Sequence, residues 1–129
     1  MMIIDSHLHV WSLDTDTYPF AEGRNTEEEG SAELLLETME ANGVSHSVIV
    51  QPIHYVYDNR YVTDTMKKYP GKFAGMAIMD RHAPDAPEQL EKLVKEDGFS
   101  GLRMHLSRPD DPAEWAAPDQ DPIWRKAEE

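Results

Sequence analysis

Residues 1–11 read MMIIDSHLHVW, and this stretch decides the fold. Residues 3–10 are largely apolar and partly β-branched, which predicts a β-strand. Asp5, His7 and His9 are spaced two residues apart, and residues with this spacing point to the same side of an extended chain. We therefore expect one carboxylate and two imidazoles on a single face of the first strand.

Three later apolar runs also predict strands, and segments with helical spacing lie between them. The predicted strands are residues 3–10, 47–52, 73–79 and 100–106. The predicted helices are residues 31–43, 58–72, 85–98 and a fourth that begins at Asp121. This alternation favours a parallel sheet with right-handed crossovers. We expect an α/β fold, a parallel sheet of four βα units, in one partial domain over residues 1–129.

The composition excludes several classes of protein. The chain has 25 acidic against 12 basic residues, a formal charge of −13, which disfavours nucleic acid and anionic membranes because both are bound through Lys and Arg. There is no cysteine, so imidazole and carboxylate groups would have to hold any metal ion. No stretch has the pattern of a signal peptide or the length of a membrane span. We expect a cytoplasmic protein that acts on a small molecule.

Polar side chains gather at the predicted carboxyl ends of the strands. Five of the six histidines lie there, and His46, which precedes the second strand, is the exception. The carboxyl ends of parallel strands meet at one edge of a sheet, where ligands bind. The residues concerned are His7 and His9 at the end of the first strand, Gln51 and His54 following the second, Asp80, Arg81 and His82 following the third, and Arg103 and His105 at the end of the fourth.

Several of these residues have two interpretations. His7 and His9 form a metal-binding or catalytic pair, unless ordinary hydrogen bonds satisfy both rings. Asp5 either ligates a metal ion or orients a ligand histidine through its second ring nitrogen. Arg103 lies in an apolar strand and needs either an internal carboxylate or an anionic substrate. Arg108, in the following loop, either binds substrate or is solvated.

The remaining segments receive structural interpretations. The first connection, residues 11–30, is acidic and predicts either a loop over one end of the sheet or a partly disordered excursion. Trp115 and Trp124 are expected to pack on the outside of the sheet, without a role in chemistry. Three histidines are interpreted as loop or supporting residues rather than metal ligands: His54, His82 and His105.

Three stretches, in order along the chain, resemble one known family. Residues 3–11, IIDSHLHVW, resemble the Asp-x-His-x-His signature on the first strand of the amidohydrolase superfamily. Residues 39–62, MEANGVSHSVIVQPIHYVYDNRYV, and residues 98–106, GFSGLRMHL, resemble two runs of its amidohydrolase-2 group. That group includes hydrolases of sugar lactones and of pyrone dicarboxylates. The resemblance extends from Met2 to about Trp124 and implies the N-terminal half of a TIM (β/α)8 barrel.

The resemblance also implies a reaction. It implies hydrolysis of a lactone or related carboxylated cyclic substrate, usually with a divalent metal ion that activates water. Zinc is the expected ion, and a metal-free reaction stays open. No catalytic residue is assigned, because the family's general base follows a strand that this chain lacks. The implied site residues are His7 and His9 as metal ligands, and Gln51, His54, Arg103 and Arg108 as substrate-binding residues.

The chain is too short for the complete barrel that the resemblance implies. A full barrel has eight βα units and about 250 residues. Two histidines are also fewer than the three protein ligands that a catalytic zinc ion generally needs. Three explanations stay open: a truncated gene product, a half-barrel that self-associates through its open sheet edges, or a non-catalytic half-barrel that binds a small anion. A flavodoxin-like module is disfavoured, since no Gly-rich loop follows the first strand.

Overall fold

Four parallel strands form one sheet in chain order, as the sequence predicted. The computed structural model describes residues 1–105 and 111–129. The strands are β1 (Ile4–Leu8), β2 (His46–Val50), β3 (Phe73–Ala77) and β4 (Gly101–Leu102). The helices are α1 (Ala32–Ala41), α2 (Arg60–Lys68), α3 (Ala86–Lys95), α4 (Asp111–Trp115) and α5 (Asp121–Glu128), with a short 3-10 helix at Pro118–Gln120.

Local sequence signals set the helix boundaries. Ser31 is extended and its hydroxyl accepts the backbone N–H of Leu34 at 3.2 Å, so it caps the start of α1 as predicted. Gly43, just beyond the same helix, has φ +68°, a conformation that glycine adopts without strain. The predicted helix over residues 31–43 is therefore confirmed at both ends.

The strands are shorter than the apolar runs predicted, and β1 is irregular. Asp5 pairs with Ser47 and Leu8 with Ile49, so β1 has one more residue than β2 between these pairs. Such a bulge interrupts the alternation of side chains along a strand. The prediction that Asp5, His7 and His9 share one face by simple two-residue alternation was therefore wrong in its premise, although the two histidine rings do lie together.

The core lies between the sheet and the helices on its outer face. Ile49 of β2, Ala77 of β3 and Val62 of α2 are fully buried in one apolar cluster. Leu90 of α3 and Ile123 of α5 extend the cluster towards β4. Helix packing therefore covers the middle of the sheet, whereas β1 and β4 form its edges.

The acidic connection between β1 and α1 is an ordered loop rather than a disordered excursion. The Trp11 backbone N–H donates to Gly30 O at 2.8 Å, and the indole N–H donates to Glu28 O at 2.7 Å. The Trp11 ring lies so close to Gly30 that a Cβ there would be 2.3 Å from it. Farther along, the Tyr18 hydroxyl donates to Asp64 of α2 at 2.8 Å. These contacts hold the loop beside the carboxyl ends of the strands.

Candidate functional site

The two predicted metal ligands lie side by side where β1 ends. The rings of His7 and His9 have centroids 5.2 Å apart and meet edge to face at 82°. Nδ1 of His9 lies 2.7 Å from the carbonyl oxygen of Val50. A carbonyl can only accept, so Nδ1 carries the proton and the lone pair of neutral His9 is on Nε2. This bond fixes the tautomer that leaves Nε2 for a ligand.

The surroundings of His9 favour its neutral form. Burial lowers the pKa of His9, and the positive charges of Arg103, His7 and His54 lower it further, against the opposing effect of the Val50 carbonyl. A histidine must be neutral to ligate a metal ion. Burial therefore favours the neutral form of His9, which is the form that a metal ligand must have.

Asp5 makes a local contact in the structure, and its two predicted roles stay predictions. Its Oδ1 accepts the backbone N–H of His7 at 3.1 Å, while the Val50 carbonyl is the group that orients the His9 ring. Within residues 1–105 and 111–129, no three His, Asp or Glu side chains are arranged to hold a metal ion. The described part of the chain thus presents one imidazole pair.

Arg103 lies near His9, and the end of β2 contacts both side chains. Its Nη1 donates to the carbonyl oxygen of Gln51 at 2.7 Å, and burial lowers its pKa. Consecutive carbonyls at the end of β2, those of Val50 and Gln51, therefore hold His9 and Arg103 respectively. Arg103 forms no ion pair with any carboxylate of the described residues. Both predicted explanations for Arg103, an internal carboxylate and an anionic substrate, stay predictions.

A cavity of about 370 Å³ opens next to Arg103. Three of the six arginines of this acidic chain contribute to its wall, together with His82 and His105. Burial and the charge of Arg103 lower the pKa of His105, while Asp111 opposes them. The arginines are Arg24 from the first connection, Arg81 after β3 and Arg103 after β4. Guanidinium groups suit an anionic ligand, but the same wall includes the buried carboxylate of Asp111.

Arg81 and Trp115 form one side of this cavity. The Arg81 side chain is only 10% exposed, donates to the Glu114 carboxylate and lies 5.0 Å from the centre of the Trp115 ring. Trp115 was predicted to pack on the outside of the sheet without a role in chemistry; it is buried and lines the cavity, and the absence of a role stays a prediction. Its ring does contact Trp124, at 5.9 Å.

Gln51 and His54 lie near the site but do not line this cavity. Gln51 is fully buried, and its Nε2 donates to the carbonyl oxygen of Asp58 at 2.8 Å, which holds the loop between β2 and α2. The His54 ring lies between those of Trp11 and Phe20, at 5.2 and 5.6 Å. Arg108, the last predicted substrate-binding residue, lies outside the described residues.

The sequence analysis placed Arg81 at the carboxyl edge of the sheet without naming it as a binding residue, and it did not place Arg24 or Trp115 there. For Arg81 a signal existed, because it follows β3 directly and so lies at the carboxyl edge of the sheet. For Arg24 and Trp115 there was none, since their positions depend on how a long loop and a short helix fold back. Among the described helices, none has the length and apolarity to cross a membrane.

Comparison with known proteins identifies the family. The amidohydrolase family model matches residues 4–129. A 2-pyrone-4,6-dicarboxylate hydrolase of Comamonas testosteroni is 31% identical over 104 residues, which is 80% of this chain and 33% of that protein.

Solved structures share the fold. One from Pseudomonas putida, described as a putative 2-pyrone-4,6-dicarboxylic acid hydrolase, has a TM-score of 0.75 and 26% identity over 98% of this chain and 44% of its own. A probable 2-pyrone-4,6-dicarboxylic acid hydrolase of Acinetobacter baumannii with citric acid bound has a TM-score of 0.74 and 22% identity. The match covers 99% of this chain and 46% of that one. An amidohydrolase of Burkholderia multivorans with bound zinc has a TM-score of 0.65 and 19% identity. The match covers 98% of this chain and 44% of that one.

The coverage agrees with the strand count. The chain spans a third of the curated relative and less than half of each of these solved structures. Its four strands correspond to half of an eight-stranded barrel. The chain therefore belongs to the amidohydrolase family and forms the N-terminal half of the family's TIM barrel.

Proposed function

We propose that this chain is the N-terminal part of a metal-assisted hydrolase that acts on a lactone or a related carboxylated cyclic substrate. The observation that supports this most is the arrangement at the end of β2, where consecutive carbonyls hold His9 beside His7 and Arg103 beside the cavity. One group of side chains suits a divalent cation and the other suits a carboxylate. A lactone hydrolase needs both kinds of site.

His7 and His9 are the proposed metal ligands. A catalytic zinc ion takes three or more protein ligands, and these two imidazoles would supply two of them. The hydrogen bond to Val50 fixes the tautomer of His9. A divalent ion bound there supplies a water of lowered pKa and polarises a carbonyl. The structure of a Burkholderia relative holds zinc, which supports a divalent ion for this chain. The remaining ligands and the general base are proposed to lie in the part of the barrel that this chain lacks.

Arg103 is the proposed carboxylate-binding residue, and Arg108 is proposed to assist it. The Nη2 and Nε groups of Arg103 carry no protein hydrogen bond among the described residues, so they are available for a bidentate bond to a carboxylate. The citric acid in the Acinetobacter structure supports a small carboxylate as ligand. His54 is proposed to form the wall of the site nearest to His9, and Gln51 to place Arg103 through its backbone carbonyl.

Zinc titration tests the metal ligands. Calorimetry in a chelator-free buffer should show zinc bound by the wild-type chain, and affinity lowered at least tenfold in His7→Ala and in His9→Asn. Asn at position 9 can still donate to the Val50 carbonyl but lacks the second ring nitrogen. His46→Asn, at the opposite end of the sheet, is the matched control and should leave zinc binding unchanged. Equal losses in all three variants would contradict the assignment.

Citrate titration tests the anion site separately. Arg103→Met should abolish citrate binding, whereas Arg60→Met, which removes an exposed arginine paired with Asp58, should not. The alternative function, a non-catalytic half-barrel that binds a small anion, is favoured by the single imidazole pair and the three arginines of the cavity. Citrate binding that depends on Arg103, without any zinc binding that depends on His7, would select this alternative.

A further inference from the structure

The loop between β2 and α2 contains one residue in a strained backbone conformation. Val56 has φ +49°, and among the described residues it is the only one other than glycine with a positive φ. A β-branched residue is rare in this left-handed region, because its Cβ lies close to the following carbonyl oxygen. Such a conformation persists only where the surrounding structure imposes it, and residues of this kind are concentrated at binding sites.

Two buried amide side chains impose the conformation of this loop. Nε2 of Gln51 donates to the carbonyl oxygen of Asp58 at 2.8 Å and to that of Val56 at 3.4 Å. Nδ2 of Asn59 donates to the carbonyl oxygen of Tyr57 at 3.0 Å. Three consecutive carbonyls, at and after the strained residue, are therefore held by side chains that the protein buries.

Further hydrogen bonds anchor the loop to its neighbours in the same chain. Asn59 also donates to the carbonyl oxygen of Ile78 at 2.8 Å and accepts the backbone N–H of Ile78 at 3.0 Å, just after β3. On the other side, the carbonyl oxygen of His54 accepts the backbone N–H of Ala21 at 2.8 Å. The loop thus lies between the first connection and β3, away from both edges of the sheet, and its conformation is set within the described chain.

The strained residue lies on the wall of the cavity beside Arg103. Val56, Ile53 and Tyr57 all come from this loop, and all three line the cavity of about 370 Å³ that Arg103 also lines. An anion that bonds Arg103 there meets the loop as an apolar surface. The position of Val56 therefore affects how much room the ligand has.

We propose that Val56 is a specificity-determining residue of this cavity, and that Gln51 and Asn59 are positioning residues that hold it there. The Val56 side chain excludes wide ligands, and the two amides prevent the loop from relaxing to a conformation that would admit them. This inference rests on the proposed anion site at Arg103 and extends it to the selection of the ligand by width.

The first experiment tests the strain, without any ligand. Val56→Gly removes a half-buried side chain but places a residue there that adopts a positive φ freely. Val44→Gly is the matched control, because Val44 is also half-buried and outside a strand but does not have a positive φ. The urea midpoint should fall about twice as far, or more, in Val44→Gly as in Val56→Gly. A fall in Val56→Gly as large as that in the control would overturn the proposal.

The second experiment tests selection by width. Citrate and benzene-1,3,5-tricarboxylate carry the same number of carboxylates, but the benzene ring makes the second one wider and rigid. Calorimetry should show that Val56→Gly lowers the ratio of the Kd for the benzene compound to the Kd for citrate by about fivefold or more. Val44→Gly should keep the wild-type ratio.

The outcomes separate this inference from the proposed function. If citrate binds and its binding depends on Arg103, but Val56→Gly keeps the wild-type ratio, the specificity role is overturned and the anion site stands. If the wild-type chain binds neither compound, the anion site itself is contradicted, and the specificity role with it.

The third experiment tests the positioning residues. Gln51→Met keeps the approximate volume of the side chain and the backbone carbonyl that holds Arg103, but it removes the Nε2 donor. Asn59→Ala removes the bond to Tyr57. Each variant should lower the Kd ratio in the same direction as Val56→Gly, and neither should lower it further when combined with Val56→Gly, because both act through that residue.

A loss of stability alone would not move this ratio, so the measurement distinguishes positioning from a merely structural role. Circular dichroism identifies the variants that fold. A folded Gln51→Met or Asn59→Ala chain with the wild-type ratio would overturn the positioning role of that residue. Failure of both variants to fold would assign the two amides to the fold and overturn their positioning role as well.

Discussion

β1 and β2 are adjacent five-residue strands with similar apolar content, and they differ in what covers them. Ile49 of β2 is fully buried and pairs with strands on both sides, whereas Ile4 of β1 is 55% exposed and pairs on one side only. Strands of parallel sheets are usually covered on both faces. The difference shows that β2 lies within the core, while β1, which carries His7, lies at an edge of the described sheet.

Alanine substitutions at matched positions should separate the two strands most clearly. Ile49→Ala removes a buried side chain from the core cluster and should lower the free energy of unfolding by about 3 kcal/mol. Ile4→Ala in the monomer should lower it by less than about 1 kcal/mol, since half of the side chain is already in water. Urea unfolding at a low chain concentration measures both. Equal losses would mean that β1 is covered in the monomer.

The residues that follow the two strands should also differ. Gln51, after β2, is buried and bonds the Asp58 carbonyl, so Gln51→Ala should cost about 2 kcal/mol by leaving that carbonyl without its partner. His7, at the end of β1, is exposed, so His7→Ala should change the metal-free free energy of unfolding by less than about 0.5 kcal/mol. A large loss in His7→Ala would assign that ring a structural role instead of a ligand role.

The same contrast explains what could be predicted from the sequence. Apolar runs and helix caps are local signals, and they correctly predicted the four strands and the helices α1, α2, α3 and α5. The pairing of His7 with His9 was also local. The bulge in β1 could not be predicted from local sequence, because it depends on pairing with β2. The hydrogen bond from His9 to Val50 could not be predicted either, because the two residues are 41 positions apart.

The cavity shows the limit of sequence reasoning most directly. Arg103 was predicted as an anion-binding residue because a guanidinium is costly in an apolar strand. Arg24 and Trp115 reach the same cavity through a loop and a short helix, whose paths no periodicity encodes. The position of Arg103 along its strand could therefore be predicted from the sequence. The parts of the cavity wall that come from the connecting loop and the short helix could not.

The smallest expected effect is a pH dependence that originates where β1 meets β2. Burial lowers the pKa of His9 in the folded chain, whereas in the unfolded chain it titrates near its ordinary value of about 6.5. Below about pH 6.5 the unfolded state therefore binds more protons at His9 than the folded state does, so stability falls as the pH drops through this range. His105 contributes in the same direction, because burial lowers its pKa too.

Substitution separates these contributions. His9→Asn keeps a donor for the Val50 carbonyl but has no titrating ring, so its stability should fall less steeply than that of the wild type between about pH 6.5 and 5. His105→Asn removes the other histidine whose pKa burial lowers, and it should reduce the slope as well. Urea unfolding at half-unit pH intervals gives the slopes. A His9→Asn slope as steep as the wild-type slope would mean that His9 gains a proton as readily in the folded chain as in the unfolded one, and the neutral imidazole required for a metal ligand would then lose its physical basis.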